Sequence, residues 1–212
     1  MEEKIITGNA PRQLVSFILD NSASCSKETL SALMGGFRRF AADTAAANVR
    51  LEWELISFDT FEPAVCKSFD ATDIAPVRAG CMPLLGRAID LAVDRVEARV
   101  SMWRKNDENC YRPWVFILSS GFTFDETEQA VMRLDAMEHD GNVLYLPFKL
   151  SPKLYTERLQ TLDRVKHMIT VKEGGIEGFF AFVSAMLERR GALAPDAGLK
   201  FRKTDFEGWA EL

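Results

Sequence analysis

Three hard oxygens stand close together near the start of this sequence. "LVSFILDNSAS", residues 14 to 24, runs an apolar stretch into Asp20 and then sets Ser22 and Ser24 at alternate positions. Two kinds of chemistry suit that pattern. A magnesium or calcium ion takes hard oxygen ligands, water often completing the shell, and a strand-to-helix turn can present three such oxygens together. The same oxygens can instead accept hydrogen bonds from the free N–H groups of a first helical turn. The second reading makes Asp20 the cap of the following helix, with the serines bonded to its amides.

Elsewhere the reactive side chains are dispersed. Cys25, Cys66, Cys81 and Cys110 form no CxxC pair and have only His139 and His167 as soft co-ligands, which argues against both a zinc site and a disulfide framework. Each cysteine reads as a small buried apolar residue, although Cys25 and Cys81 fall in loops where a free thiol could be exposed. His139 stands at a helix end before Asp140 and Gly141, and His167 begins a short strand, with no nucleophile near either in sequence. Asp125, in "FDETE", reads as an acid placed at a helix start, where the helix dipole favours it. Trp53, Trp103 and Trp114 fall within strand or helix patterns and are expected in the core. Neither GxxxxGK[ST] nor GxGxxG is present, so a phosphate-cradling loop is not expected.

The elements that must position these residues alternate along the chain. Apolar runs of strand length occur at "LVSFIL" (14 to 19), "VRLEWELISF" (49 to 58), "WVFILSS" (114 to 120), "VLYLPF" (143 to 148) and "HMITV" (167 to 171). Most are continuously apolar, as strands covered on both faces are. Between them lie helical patterns. In "KETLSALMGGFRRFAADTAAA", Leu30, Leu33, Met34, Phe37, Phe40 and Ala41 recur at three-and-four spacing. "LLGRAIDLAVDRVEARVSMWRK", "ETEQAVMRLDAM", "PKLYTERLQTL" and "IEGFFAFVSAMLERR" repeat that habit. "FEPAVCKSFD" follows its strand too closely for a parallel crossover, so it returns as an antiparallel edge strand, for which Pro63 is suited. The expected fold is α/β: a doubly wound, mostly parallel central sheet with one antiparallel edge strand and helices on both faces, Rossmann-like in its winding. Residues 1–190 form that domain, and 191–212 form a C-terminal extension, still carrying Leu199, Phe201, Phe206 and Trp209, that packs on the domain or binds a partner.

In an open α/β sheet, ligands collect outside the carboxyl ends of the strands, where strand order reverses. Three loops are therefore expected to meet there: "DNSASCSKE", "DIAPVRAGCMPLLGRA" and "SSGFTFDE". Their residues carry a family likeness. "ILDNSAS" resembles the DxSxS signature of von Willebrand factor A (vWA) domains, "AGCMPLLGRAID" resembles their second loop GxTxLGxAL, and "YRPWVFILSSGFTFDE" resembles their third, RPxxFLxTDGxxTDE. The RPW run and the spacing resemble the TerY-like group of bacterial tellurite resistance, over about residues 12 to 190.

That resemblance implies a metal-ion-dependent adhesion site (MIDAS), in which a partner's acidic group completes the shell of a magnesium or calcium ion. Asp20, Ser22 and Ser24 match its first loop, but Pro83 stands where the family has threonine and Ser120 where it has an acid. The site is thus degenerate: any magnesium or calcium binds weakly, with Ser120 offering at most a hydroxyl, because affinity follows ligand charge and number. The resemblance implies a non-enzymatic adaptor of bacterial stress response, with a protein partner, a kinase or phosphatase of the same pathway. The partner-binding loop residues are Asn21, Cys81, Met82, Pro83, Gly121, Phe122 and Thr123. The alternatives are a metal-dependent ligand-binding vWA domain and a metal-assisted hydrolase. Composition narrows the partners further. With net charge -5 and no long Lys/Arg run, nucleic acid is not expected. No run reaches the roughly 18 apolar residues of a membrane span, and a soluble cytoplasmic protein is expected.

Overall fold

The computed structural model describes residues 10–43, 49–59, 62–69, 71, 73–75, 77, 80, 82–120, 122–150, 166–194 and 197–212. The expected helix in "PKLYTERLQTL" lies outside them. The strands are β1 (Arg12–Asp20), β2 (Arg50–Phe58), β3 (Ala64–Lys67), β4 (Trp114–Ser119), β5 (Leu144–Lys149), β6 (Ile169–Val171) and β7 (Ala210–Glu211). They form one sheet in the order β3-β2-β1-β4-β5-β6-β7. β2, β1, β4, β5 and β6 run parallel; β3 pairs antiparallel with β2 and β7 antiparallel with β6. Pro63 stands immediately before β3, where its missing N–H breaks no ladder.

Helices cover both faces. α1 (Lys27–Asp43) and α4 (Ile176–Gly191) pack together on one, α2 (Leu85–Lys105) and α3 (Glu128–His139) on the other. The first face is aromatic: Phe17 of β1 lies 5.1 Å from Phe37 and 5.6 Å from Phe40 of α1, and 5.8 Å from Trp53 of β2. On the second, Ile18, Ile56 and Ile117 of the strands meet Ala88, Ile89, Val93 and Val131 of the helices. Trp53, Trp103 and Trp114 are all buried, as their patterns require.

β2 departs from a continuously apolar strand. Its alternation sends Trp53 and Leu55 into the aromatic layer, while Glu52 and Glu54 meet Arg99 and Arg95 of α2. Glu54 is fully buried and accepts from Ser16 Oγ at 2.7 Å and Arg95 Nε at 2.6 Å. Burial pushes its carboxyl up, and the Arg95 and Ser16 hydrogen bonds pull against that shift.

The C-terminal residues extend the sheet. A 3-10 turn (Lys203–Phe206) leads into β7, and Phe206 and Trp209 lie 5.0 Å and 5.5 Å from Phe182 of α4. Gly178 makes that approach possible, because a Cβ there would sit 2.3 Å from the Cβ of Trp209. Periodicity gave no sign of this second antiparallel edge strand, which is two residues long. Among the described residues no helix is long and apolar enough to cross a membrane.

Candidate functional site

The chain leaves β1 for β2 on one side and later returns through α2 to β4 on the other, so strand order reverses between β1 and β4. Asp20 ends β1 and Ser119 ends β4, which sets Asp20 and Ser120 at the mouth of the crevice this reversal creates. They are bonded to each other. Asp20 Oδ2 accepts the Ser120 amide at 2.9 Å and also the Ser120 hydroxyl, and Oδ1 accepts the Ser22 amide at 3.0 Å. The carboxylate is fully buried and spends three of its four acceptor directions on these donors.

The first loop is held the same way. Ser22 Oγ accepts the Ser24 amide at 3.3 Å and Ser22 O accepts the Cys25 amide at 3.0 Å. A bridge to Gly80 fixes it laterally, with Ala23 N–H donating to Gly80 O at 2.8 Å and Gly80 N–H to Asn21 O at 3.3 Å. The expected helix cap is corrected here. Asp20 does not cap α1; Ser26 does, its Oγ accepting the Thr29 amide at 3.1 Å. The chain spends residues 21 to 25 turning away from the sheet, and α1 begins only at Lys27, beyond the reach of Asp20.

The third loop caps the wrong helix for the sequence reading and the right one for the site. Thr123 Oγ1 accepts the Leu85 amide at 3.2 Å and lies 2.5 Å from Asp125 Oδ1, while Asp125 Oδ2 accepts the Arg87 amide at 3.0 Å. Asp125 therefore satisfies the start of α2, not of α3 as its position before "ETEQ" suggests. α3 has Thr127 at its N-cap position, without a side-chain cap bond. Gly86 is required for this junction, since a Cβ there would stand 2.5 Å from the Glu126 carbonyl. Pro83 is buried, and its carbonyl accepts the Phe124 amide at 2.9 Å.

The structure brings Asp20, Ser22 and Ser120 together, and Ser24 joins them through its amide on Ser22 Oγ. With Ser120, Ser24 lines a cavity of about 590 Å³ whose far wall is Lys172, Glu173 and Ile176. Of the partner-loop residues, Asn21, Pro83 and Thr123 are buried and act within the fold. Met82 is exposed and Phe122 half-buried; Cys81 and Gly121 lie outside the described residues. Phe124, 42% exposed, was not singled out by motif matching. It packs edge-on against Phe122 at 4.6 Å, and the alternation of "GFTF" around buried Thr123 is the signal that could have found it. Cys25 is buried, as expected of a small apolar residue, and burial, with the Asp20 charge adding to it, pushes its thiol up to about 12.

For a divalent cation the crevice offers one carboxylate and serine hydroxyls. An ion binding Asp20 directly must compete with the Ser22 and Ser120 donors, while Glu28, Glu173 and Glu177 line the cavity that Ser24 and Ser120 share. Among those residues no group of three or more His, Cys, Asp and Glu could hold a metal. This donor set does not fit a tightly held magnesium or calcium ion, whose affinity rests on charge count. His139 ends α3 and His167 precedes β6, so both lie toward the amino ends of the strands, away from the crevice.

No family model matches the sequence, and no curated protein is similar to it at a significant level. Solved structures match its fold. The TFIIH p34 N-terminal domain superposes with a TM-score of 0.57 at 13% identity, over 84% of this chain and 98% of that one. Proximal thread matrix protein 1 from the mussel byssus superposes at 0.54 and 11% identity, over 85% of this chain, which spans 47% of the mussel protein's. The SpRpn10 VWA domain superposes at 0.47 and 11% identity, over 74% of this chain and 82% of that domain, a likeness that carries no conclusion. At such identities the likeness is one of fold: the doubly wound α/β sheet.

Proposed function

We propose that this chain is a non-enzymatic protein-interaction module of the vWA type, resembling the TerY-like group, that binds its partner through the loops at the carboxyl ends of the strands. The observation that carries the reading is the state of Asp20. Its carboxylate is enclosed by the Ser22 amide and by the amide and hydroxyl of Ser120, so it is neither a free base nor a spare charge for a cation. Chemistry on a metal-activated water needs an open coordination position and a base near it, and the three donors bonded to Asp20 work against its serving as either.

Apolar side chains face outward there. Met82 and Phe124, each 42% exposed, stand with Phe122 on the rim, a surface that gains by being covered. The fold relatives fit such a role, since TFIIH p34 and a byssus matrix protein are named for what they belong to rather than for a reaction. The partner we propose is a kinase or phosphatase of a bacterial stress or tellurite-resistance pathway, and magnesium or calcium is at most weakly held. A metal-dependent ligand-binding domain is the second reading, favoured by the convergence of Asp20, Ser22 and Ser120 at the switch point.

Co-purification of the tagged chain from its native host, with and without a chelator, separates the two. The adaptor reading expects a partner that survives chelation and is lost in the Phe124→Ser variant while a distant surface variant retains it. Loss on chelation, with Phe124→Ser retaining the partner, would make the metal-dependent reading the correct one.

A further inference from the structure

At the opposite end of the sheet from the Asp20 crevice lies a second cavity, of about 370 Å³, lined by Arg104, Arg112, Arg190, Tyr111 and Asn142 among others. It sits where α2, α3 and α4 end and where β4 and β5 begin. No Asp or Glu is among its described lining residues, although the chain as a whole has net charge -5.

Helix ends explain part of this. Cations in a last turn offset the partial negative charge there, about half a unit per helix. Three helices then bring about one and a half negative units against three guanidinium charges, leaving the cavity positive. Arg190 forms the back wall: it is buried, stacks over Tyr111 at 4.4 Å, and donates to the carbonyls of Ala194 and Ala197 at 2.5 and 2.7 Å. Arg112 donates one nitrogen to the Glu138 carbonyl at 2.5 Å, and its Nε, like that of Arg190, is buried with no acceptor among the described residues. Arg104 is exposed and makes no ion pair among the described residues, which leaves its five donors available.

We propose that this cavity binds a small polyanion carrying phosphate or carboxylate groups, held by the exposed guanidinium of Arg104 and attracted by the charges of Arg112 and Arg190 in its wall. Its volume is that of about a dozen liquid waters, which suits a compact metabolite and not a folded partner. This site is independent of the adaptor reading and would stand if that reading failed.

The test is calorimetric titration of the full chain at low salt with inorganic pyrophosphate, inorganic phosphate and citrate. Pyrophosphate or citrate is expected to bind, and Arg104→Ala to weaken it at least about tenfold, the loss of one charge-assisted hydrogen bond. Arg38→Ala, an exposed arginine on α1, should leave binding unchanged. Because Arg104 is exposed, its variant should fold, and Arg104→Lys, which keeps the charge, should bind more tightly than Arg104→Ala. Preference for pyrophosphate assigns the ligand to the phosphates and preference for citrate to the carboxylates. Failure of all three anions to bind, or equal loss in Arg104→Ala and Arg38→Ala, would overturn the proposal.

Discussion

Truncating Asp20 leaves three donors with no acceptor, the amides of Ser22 and Ser120 and the Ser120 hydroxyl. Each buried donor left unsatisfied costs about 1–3 kcal/mol, so Asp20→Ala should lower unfolding stability by about 3 kcal/mol or more, read from urea denaturation. Ser26→Ala should cost only about 1 kcal/mol, the usual loss for an N-cap. Equal, small losses for both would mean that Asp20 is a solvent-compensated cap after all. The sequence carried the proximity of Asp20, Ser22 and Ser24 but not their partners. The donor that matters most to Asp20 lies 100 positions away on Ser120, a contact that only the pairing of β1 with β4 creates.

At the scale of elements, the start of α2 depends on a loop from elsewhere in the chain. Asp125→Ala removes the acceptor of the Arg87 amide and should destabilise the protein by about 1 kcal/mol, with faster hydrogen exchange at Arg87 and unchanged exchange in α3. Protection lost in α3 instead would restore the sequence-based assignment. At the other edge, Arg189 of α4 is bonded to Asp205 in the turn before β7. Partial burial works to raise the Asp205 carboxyl, but the Arg189 guanidinium and the Arg202 amide outweigh it and hold that carboxyl below its ordinary value. A carboxyl depressed in the folded state adds stability that is present above its unfolded value and lost as pH falls through the lower, folded one. Acid titration below about pH 4 should therefore show a loss of stability that Arg189→Ala diminishes; an identical acid profile in the variant would refute the linkage. Helices were legible from their three-and-four spacing and the parallel strands from their apolar runs. β7 was not, because two residues cannot show a period, and its place is fixed by Phe206 and Trp209 docking on Phe182.

For the whole molecule, alternation of strand and helix was enough to expect a doubly wound sheet with its loops meeting at the carboxyl ends of the strands, while the strand order that puts the reversal between β1 and β4 came from the structure. What the crevice does depends on how its acid is used. On the adaptor reading, Asp20 is committed to the fold and not to a cation. Calorimetric titration of the unmodified protein with magnesium, manganese and calcium tests this most directly, run beside the Pro83→Thr, Ser120→Asp double variant, which restores a hydroxyl and a charge. The unmodified chain should bind none of them more tightly than the weak range of about 10⁻⁴–10⁻³ M, and the double variant should bind more tightly. Micromolar binding by the unmodified chain, abolished in a folded Asp20→Asn variant, would contradict that reading.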